Sequence, residues 1–150
     1  MKVILQRCQS ASVTMSNETR AIGKGYVLLL GVVDGDGKSE LELLTKKVLN
    51  LRLFENEEGK INDKSIQDIQ GDLLVVSQFT LAGSLKKGNR PDYTAAMEPG
   101  KAKEFYEQFV AELKKSDDIG KVETGEFGAY MQVELVNDGP VTLVLDSREL

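Results

Sequence analysis

Apolar residues recur along this chain in three patterns. In Met131-Gln132-Val133-Glu134-Leu135-Val136 the apolar positions 131, 133 and 135 alternate with polar ones, the period of a strand with one buried and one wet face, and Val141, Leu143 and Leu145 repeat it. Between the two runs, Asn137-Asp138-Gly139-Pro140 has turn chemistry, so the segment predicts a closing hairpin. Residues 26–33 and 72–77 are instead almost continuously apolar, as in strands covered on both faces. The third pattern is helical. Leu41, Leu44, Val48 and Leu51 follow a Ser39 to Glu42 capping box, and Ala102, Phe105, Phe109, Val110 and Leu113 form a stripe within residues 101–115.

Shorter apolar runs add strands at residues 2–9 and 11–15, broken at Ser10, another starting at Arg52, and an edge strand at 121–123. Gly31, inside an apolar run, marks a bulge or a close contact. Residues 82–98, rich in Gly, Lys and Asn with Pro91 inside and Pro99 just beyond, predict a long irregular loop, a place where function concentrates. The expected fold is α+β: one domain over residues 1–150, with twisted, mostly antiparallel sheets and two main helices packed on the outside.

Composition narrows the chemistry. The 150 residues, 41% of them hydrophobic, suffice for one domain that buries roughly two-thirds of its unfolded surface. No apolar run approaches the ~18 residues of a membrane span, and the opening Met1-Lys2-Val3-Ile4-Leu5 has no secretory pattern, so a cytoplasmic protein without membrane association is expected. The single cysteine, Cys8, sits in a strand-like run and predicts a buried, inert thiol. Histidine is absent, which removes His-based triads, Cys-His pairs and His-containing metal sites. Asp34-Gly35-Asp36-Gly37 lacks the later ligands of a calcium loop and predicts an ordinary turn; neither a metal nor another cofactor is expected. The net charge of −5 argues against a protein that grips long nucleic acid, although Lys86-Lys87-Gly88-Asn89-Arg90 is either a contact for a few phosphates or a solvated loop.

Polar atoms gather where the 72–77 run stops, at Ser77, Gln78 and Thr80. Backbone N–H groups around Phe79 and Thr80 leave the ladder there, and one donor aimed at an oxyanion contributes roughly 3 kcal/mol to a transition state. Local hydrogen bonding at a strand end is the competing reading of the Ser77 and Thr80 hydroxyls. Pro140 deletes an N–H from its turn and permits a cis peptide, although only about 5% of X-Pro bonds in folded proteins are cis.

Ser77-Gln78-Phe79-Thr80-Leu81 and Asn137-Asp138-Gly139-Pro140-Val141-Thr142, about sixty residues apart, resemble the two signature motifs of the D-aminoacyl-tRNA deacylases. The likeness extends to Gln6-Arg7 with Ala11-Ser12-Val13, to Gly88-Asn89-Arg90-Pro91 and to Gly125-Glu126-Phe127-Gly128-Ala129, and so covers essentially the whole chain. It implies hydrolysis of the ester joining a D-amino acid, or glycine, to the 3′-terminal adenosine of tRNA. It also implies a homodimer with pockets at the subunit interface, in which a cis Gly139-Pro140 peptide directs its carbonyl oxygens into the other subunit's pocket and leaves no room for an L side chain. Ser77, Gln78, Phe79 and Thr80 then form the catalytic side, with the Phe79 N–H near the ester carbonyl, and Asn137, Met131, Gly139 and Pro140 the substrate-binding side. Two mechanisms follow: Thr80 as nucleophile, or water activated by the ribose 2′-hydroxyl while the protein positions the ester. The second is preferred, because no base is evident beside Thr80. The alternatives are a sister editing deacylase for an L-aminoacyl-tRNA and a non-catalytic module that binds a nucleotide or RNA end.

Overall fold

In a computed structural model, which describes residues 1–86 and 88–150, one mixed sheet carries most of the strands. The order along the chain is β1 (Lys2–Met15), β2 (Glu18–Ile22), β3 (Gly25–Gly31), α1 (Lys38–Asn50), β4 (Arg52–Phe54), β5 (Lys64–Ser65), β6 (Asp72–Ser77), α2 (Pro99–Leu113), β7 (Val122–Thr124) and β8 (Gln132–Asp146). The sheet runs β2-β1-β3-β6-β7, with β8 paired to β1 as well, while β4 and β5 form a separate small ribbon. The pairings of β1 with β2, β3 and β8 are antiparallel, and β3-β6-β7 is a parallel run. Its central strands β3 and β6 are buried on both faces, as their continuous apolar character requires.

Both helices cover one face of the sheet. Leu41, Leu44 and Val48 of α1 and Ala102, Tyr106, Phe109 and Leu113 of α2 pack there against Val3, Leu5, Leu28, Leu30, Leu73 and Val75. Each fully buried leucine or phenylalanine contributes about 1.5–3 kcal/mol relative to exposure. The cap of α1 differs from the Ser39 to Glu42 box expected: the helix begins after Gly37, whose N–H donates to the Glu40 carboxylate at 2.8 Å. A glycine leads because the preceding Asp36 is engaged elsewhere. Its Oδ2 accepts from the Val33 N–H at 2.6 Å, and its Oδ1 pairs with the Met1 α-ammonium at 2.5 Å, with both charged groups essentially unexposed.

The opposite face holds a second apolar cluster of Cys8, Ala11, Val13, Met15, Ile22, Val27, Leu74 and Val76. Burial pushes the Cys8 thiol up to about 11, so it stays protonated at neutral pH. In β1, residues 3 and 5 face the helices, whereas 11, 13 and 15 face the second cluster. The parity switches because the register with β8 shifts between Cys8 and Ser10; the break expected at Ser10 is therefore an irregularity inside one 14-residue strand.

The closing hairpin does not form. Residues 132–146 are one strand that follows β1 along its length, and the expected turn falls on a bulge within it that starts after Asn137. Gln6 faces Thr142 and Cys8 faces Asn137, so four residues of β8 stand opposite Arg7 alone. Turn chemistry served a bulge because β1 was long enough to pair with the chain on both sides of it. The alternation expected before the bulge gives only partial burial, since Val133 and Leu135 remain 36% and 38% exposed.

Candidate active site

A largely apolar concavity lies beyond the C-terminal ends of β3 and β6. Its volume is about 650 Å³, within the range of roughly 300–1,000 Å³ usual for small-molecule sites. Val76, Ser77, Gln78 and Phe79 form one wall, Met97, Glu98 and Pro99 at the start of α2 another, and Phe127, Tyr130, Met131 and Val133 a third. Tyr93, from the long loop, packs edge to face on Phe79 with ring centroids 5.1 Å apart. A 3₁₀ turn over Phe79–Ala82 leads into that loop, which is less irregular than its composition suggests, for Ser84 bridges Asp92 within it. Lys86 and Arg90 on it are exposed, and Lys87 lies outside the described residues.

The 3₁₀ turn is anchored by the Gln78 N–H, which donates to the Leu30 carbonyl at 2.8 Å, and by the Leu81 N–H, which donates to Gln78 at 3.2 Å. Gly31 permits the approach: a Cβ there would lie 2.9 Å from the Gln78 carbonyl oxygen and 2.8 Å from the Leu81 Cβ. Among the described residues, no acceptor engages the Phe79 or Thr80 N–H, the orphan donors that open any helical turn. The Thr80 hydroxyl is exposed and receives a hydrogen bond from the Gln78 side-chain amide at 2.5 Å. An amide is no base, so among the described residues no hydrogen-bond partner withdraws a proton from Thr80.

Two ionisable groups of the cavity, Glu98 and Tyr106, are held away from neutrality. The Glu98 carboxyl is kept below its usual range by the N–H groups of Gly100 and Lys101, which it caps. Burial pushes Tyr106 up to about 12, and its hydroxyl donates to the Val75 carbonyl at 2.9 Å. Neither group is poised to exchange protons near pH 7.

Ser77, Gln78, Phe79 and Met131 line this cavity, whereas Thr80, Asn137, Gly139 and Pro140 are not among its lining residues. The last three lie at the β8 bulge. There the Gly139-Pro140 peptide is cis, and Gly139 has a φ of +118°. Arg7 holds the bulge: its Nε donates to the Asp138 carbonyl at 3.1 Å and lies 3.2 Å from the Asp138 carboxylate, and its Nη1 donates to the Leu53 carbonyl. Gln6 accepts from the Thr142 hydroxyl at 2.6 Å and donates to the Val141 carbonyl at 3.4 Å. Pattern reading assigned Arg7, Phe127 and Tyr130 no role. An arginine continuing the inward-facing series of Val3 and Leu5 in β1 was the available signal for Arg7.

Residues 4–146 match the family model described as D-Tyr-tRNA(Tyr) deacylase. Curated relatives called D-aminoacyl-tRNA deacylase include one from a Nitratiruptor species, 52% identical with all of both chains covered, and one from Thermosipho melanesiensis, 50% identical over 100% of this chain and 99% of the relative. Among solved structures, the c-Myc DNA unwinding element binding protein superposes with a TM-score of 0.90 at 46% identity, covering 97% of this chain and 98% of that one. A probable eukaryotic D-amino acid tRNA deacylase superposes at 0.81 with 19% identity over 96% and 97% of the two chains, a likeness of fold.

Proposed function

The chain belongs to the D-Tyr-tRNA(Tyr) deacylase family, and on that premise we propose how it works as a D-aminoacyl-tRNA deacylase, a cytoplasmic proofreading hydrolase folded as one domain over residues 1–150. Its substrate is the ester at the 3′ end of D-aminoacyl-tRNA, and glycyl-tRNA, which has no side chain to exclude, enters the same pocket. The match over residues 4–146 outweighs both a sister editing domain for L-amino acids and a non-catalytic binding module.

The observation that carries the mechanism is a Thr80 hydroxyl that, among the described residues, has no base as hydrogen-bond partner and stands next to two unengaged N–H donors. The Phe79 N–H binds the ester carbonyl as charge develops on its oxygen, Ser77, Gln78 and Met131 shape the wall, and the terminal ribose 2′-hydroxyl activates water. Positioning alone supplies a large acceleration, since effective molarities reach the order of 10⁵ M. If Thr80 only donates a neutral hydrogen bond, Thr80→Ala lowers single-turnover deacylation by about three- to tenfold, the worth of roughly 1 kcal/mol. A loss of several orders of magnitude, or a trapped acyl-Thr80 ester, would assign it the nucleophile's role.

Selectivity is assigned to the bulge of a second copy. Val133, Leu135 and Val144 project from the sheet face opposite the helices and are 36%, 38% and 69% exposed, beside half-buried Ile4 and Leu29. Among the described residues, β8 pairs only with β1, so its other edge is free. Apolar, unpaired edges of this kind are ordinarily covered. A second copy on this face brings its β8 bulge to the cavity, where the Gly139 and Pro140 carbonyl oxygens surround the substrate's amino group and exclude an L side chain. Sedimentation should show an active homodimer; a fully active monomer would contradict this arrangement.

A further inference from the structure

Phe54 lies outside the cavity and far from Gly139 in sequence, yet one group over its ring, the Arg7 guanidinium, reaches the bulge. It is 1% exposed on β4, stacked on Tyr26 with centroids 5.2 Å apart and planes 17° from parallel. The Arg7 guanidinium carbon stands 5.6 Å from the ring centroid, and the Lys24 ammonium nitrogen is also 5.6 Å away. Arg7 and Tyr26 are direct partners across β1 and β3, and the Leu53 carbonyl that receives Arg7 Nη1 belongs to the residue before Phe54. The Tyr26 hydroxyl is buried without a hydrogen-bond partner among the described residues, so core packing, the stacked Phe54 ring included, is what holds this side chain.

The far end of Arg7 meets the bulge. Its Nε binds Asp138 through both carbonyl and carboxylate, and its Nη2 would be only 3.1 Å from a Cβ placed on Gly139. The guanidinium is thus clamped between an aromatic ring and the residue that precedes Gly139. An arginine left to itself samples many rotamers; one seated on a buried ring and a backbone carbonyl does not. The direction of the Asp138 carbonyl, and of the peptide that follows it, therefore depends on where the Phe54 ring stands.

We propose that Phe54 is a positioning residue for stereoselectivity, acting through Arg7 on the Asp138-Gly139-Pro140 bulge. This rests on the reading that the bulge rejects L substrates. Phe54→Leu keeps an apolar core side chain but removes the face that seats Arg7. The readout is the ratio of D-Tyr-tRNA to L-Tyr-tRNA deacylation under single-turnover conditions, each rate taken after subtracting the buffer rate, because loss of folded protein lowers both enzyme-dependent rates alike and leaves the ratio unchanged. The ratio should fall about tenfold, a displacement of the bulge well under 1 Å being enough. Phe54→Tyr, which retains the ring, should stay near the wild-type ratio. In a double-mutant cycle with Arg7→Lys, Phe54→Leu should add no further change, the signature of two residues acting in series. Should the leucine variant not fold, Phe54→Met, of similar volume, takes its place in the cycle. An unchanged ratio in Phe54→Leu, alongside a lowered one in Gly139→Ala, overturns the proposal while sparing the role of the bulge. Additive effects of Phe54→Leu and Arg7→Lys overturn the route through Arg7. If Gly139→Ala itself leaves the ratio intact, the underlying reading of the bulge falls instead.

Discussion

Gly139→Ala is expected to lower D-aminoacyl-tRNA hydrolysis about 100-fold, the cost of a roughly 1 Å displacement of groups that orient a substrate. With φ at +118°, Gly139 occupies backbone space that L residues rarely adopt. An added Cβ would also stand 2.9 Å from Val141 Cγ2, 3.0 Å from the Val141 nitrogen and 3.1 Å from Arg7 Nη2. The Val141 nitrogen is backbone and the Arg7 fork is anchored at Asp138 and Leu53, so the bulge itself must shift. Its exposure at a sheet edge means that the core is untouched and the protein still folds. Circular dichroism and a thermal melt close to wild type, with the rate collapsed, would match this; full activity in a folded variant would remove the bulge from the mechanism.

Asp36→Asn should lower the stability by about 3–5 kcal/mol, the usual consequence of removing one partner from a buried ion pair. The Met1 α-ammonium is 0% exposed and the Asp36 side chain 1% exposed, at 2.5 Å from one another. After substitution the ammonium keeps the Ser147 hydroxyl, an acceptor at 2.7 Å, but no counter-charge. Asparagine can still accept from the Val33 N–H, so the turn before α1 survives and the change reports on charge. Urea denaturation should show a lower midpoint with an unchanged slope. An unshifted midpoint would mean that the ammonium is solvated in solution.

The sequence pattern located the helices and central strands because burial on one stripe or on both faces leaves a periodic trace in a single segment. Leu44 and Val48, or Phe109 and Leu113, carry that trace within one helix. What β8 does was not legible in the same way. Asn137-Asp138-Gly139-Pro140 has the composition of a reversal, and whether such residues reverse the chain or bulge from it depends on the strand alongside, here a β1 of 14 residues. The cavity wall at Ser77, Gln78 and Phe79 was visible as polar residues ending an apolar strand. Phe54 was not, and Arg7 only by its place in the strand, because their importance lies in side-chain contacts that join β1 and β3 to the separate β4 ribbon, which no local pattern encodes.

The most direct test of the central reading is single-turnover deacylation of D-Tyr-tRNA and L-Tyr-tRNA by the purified protein. Release of D-tyrosine far above the spontaneous rate, with enzyme-dependent hydrolysis of L-Tyr-tRNA slower by orders of magnitude, is the predicted result. Equal hydrolysis of both, or of neither, would contradict it.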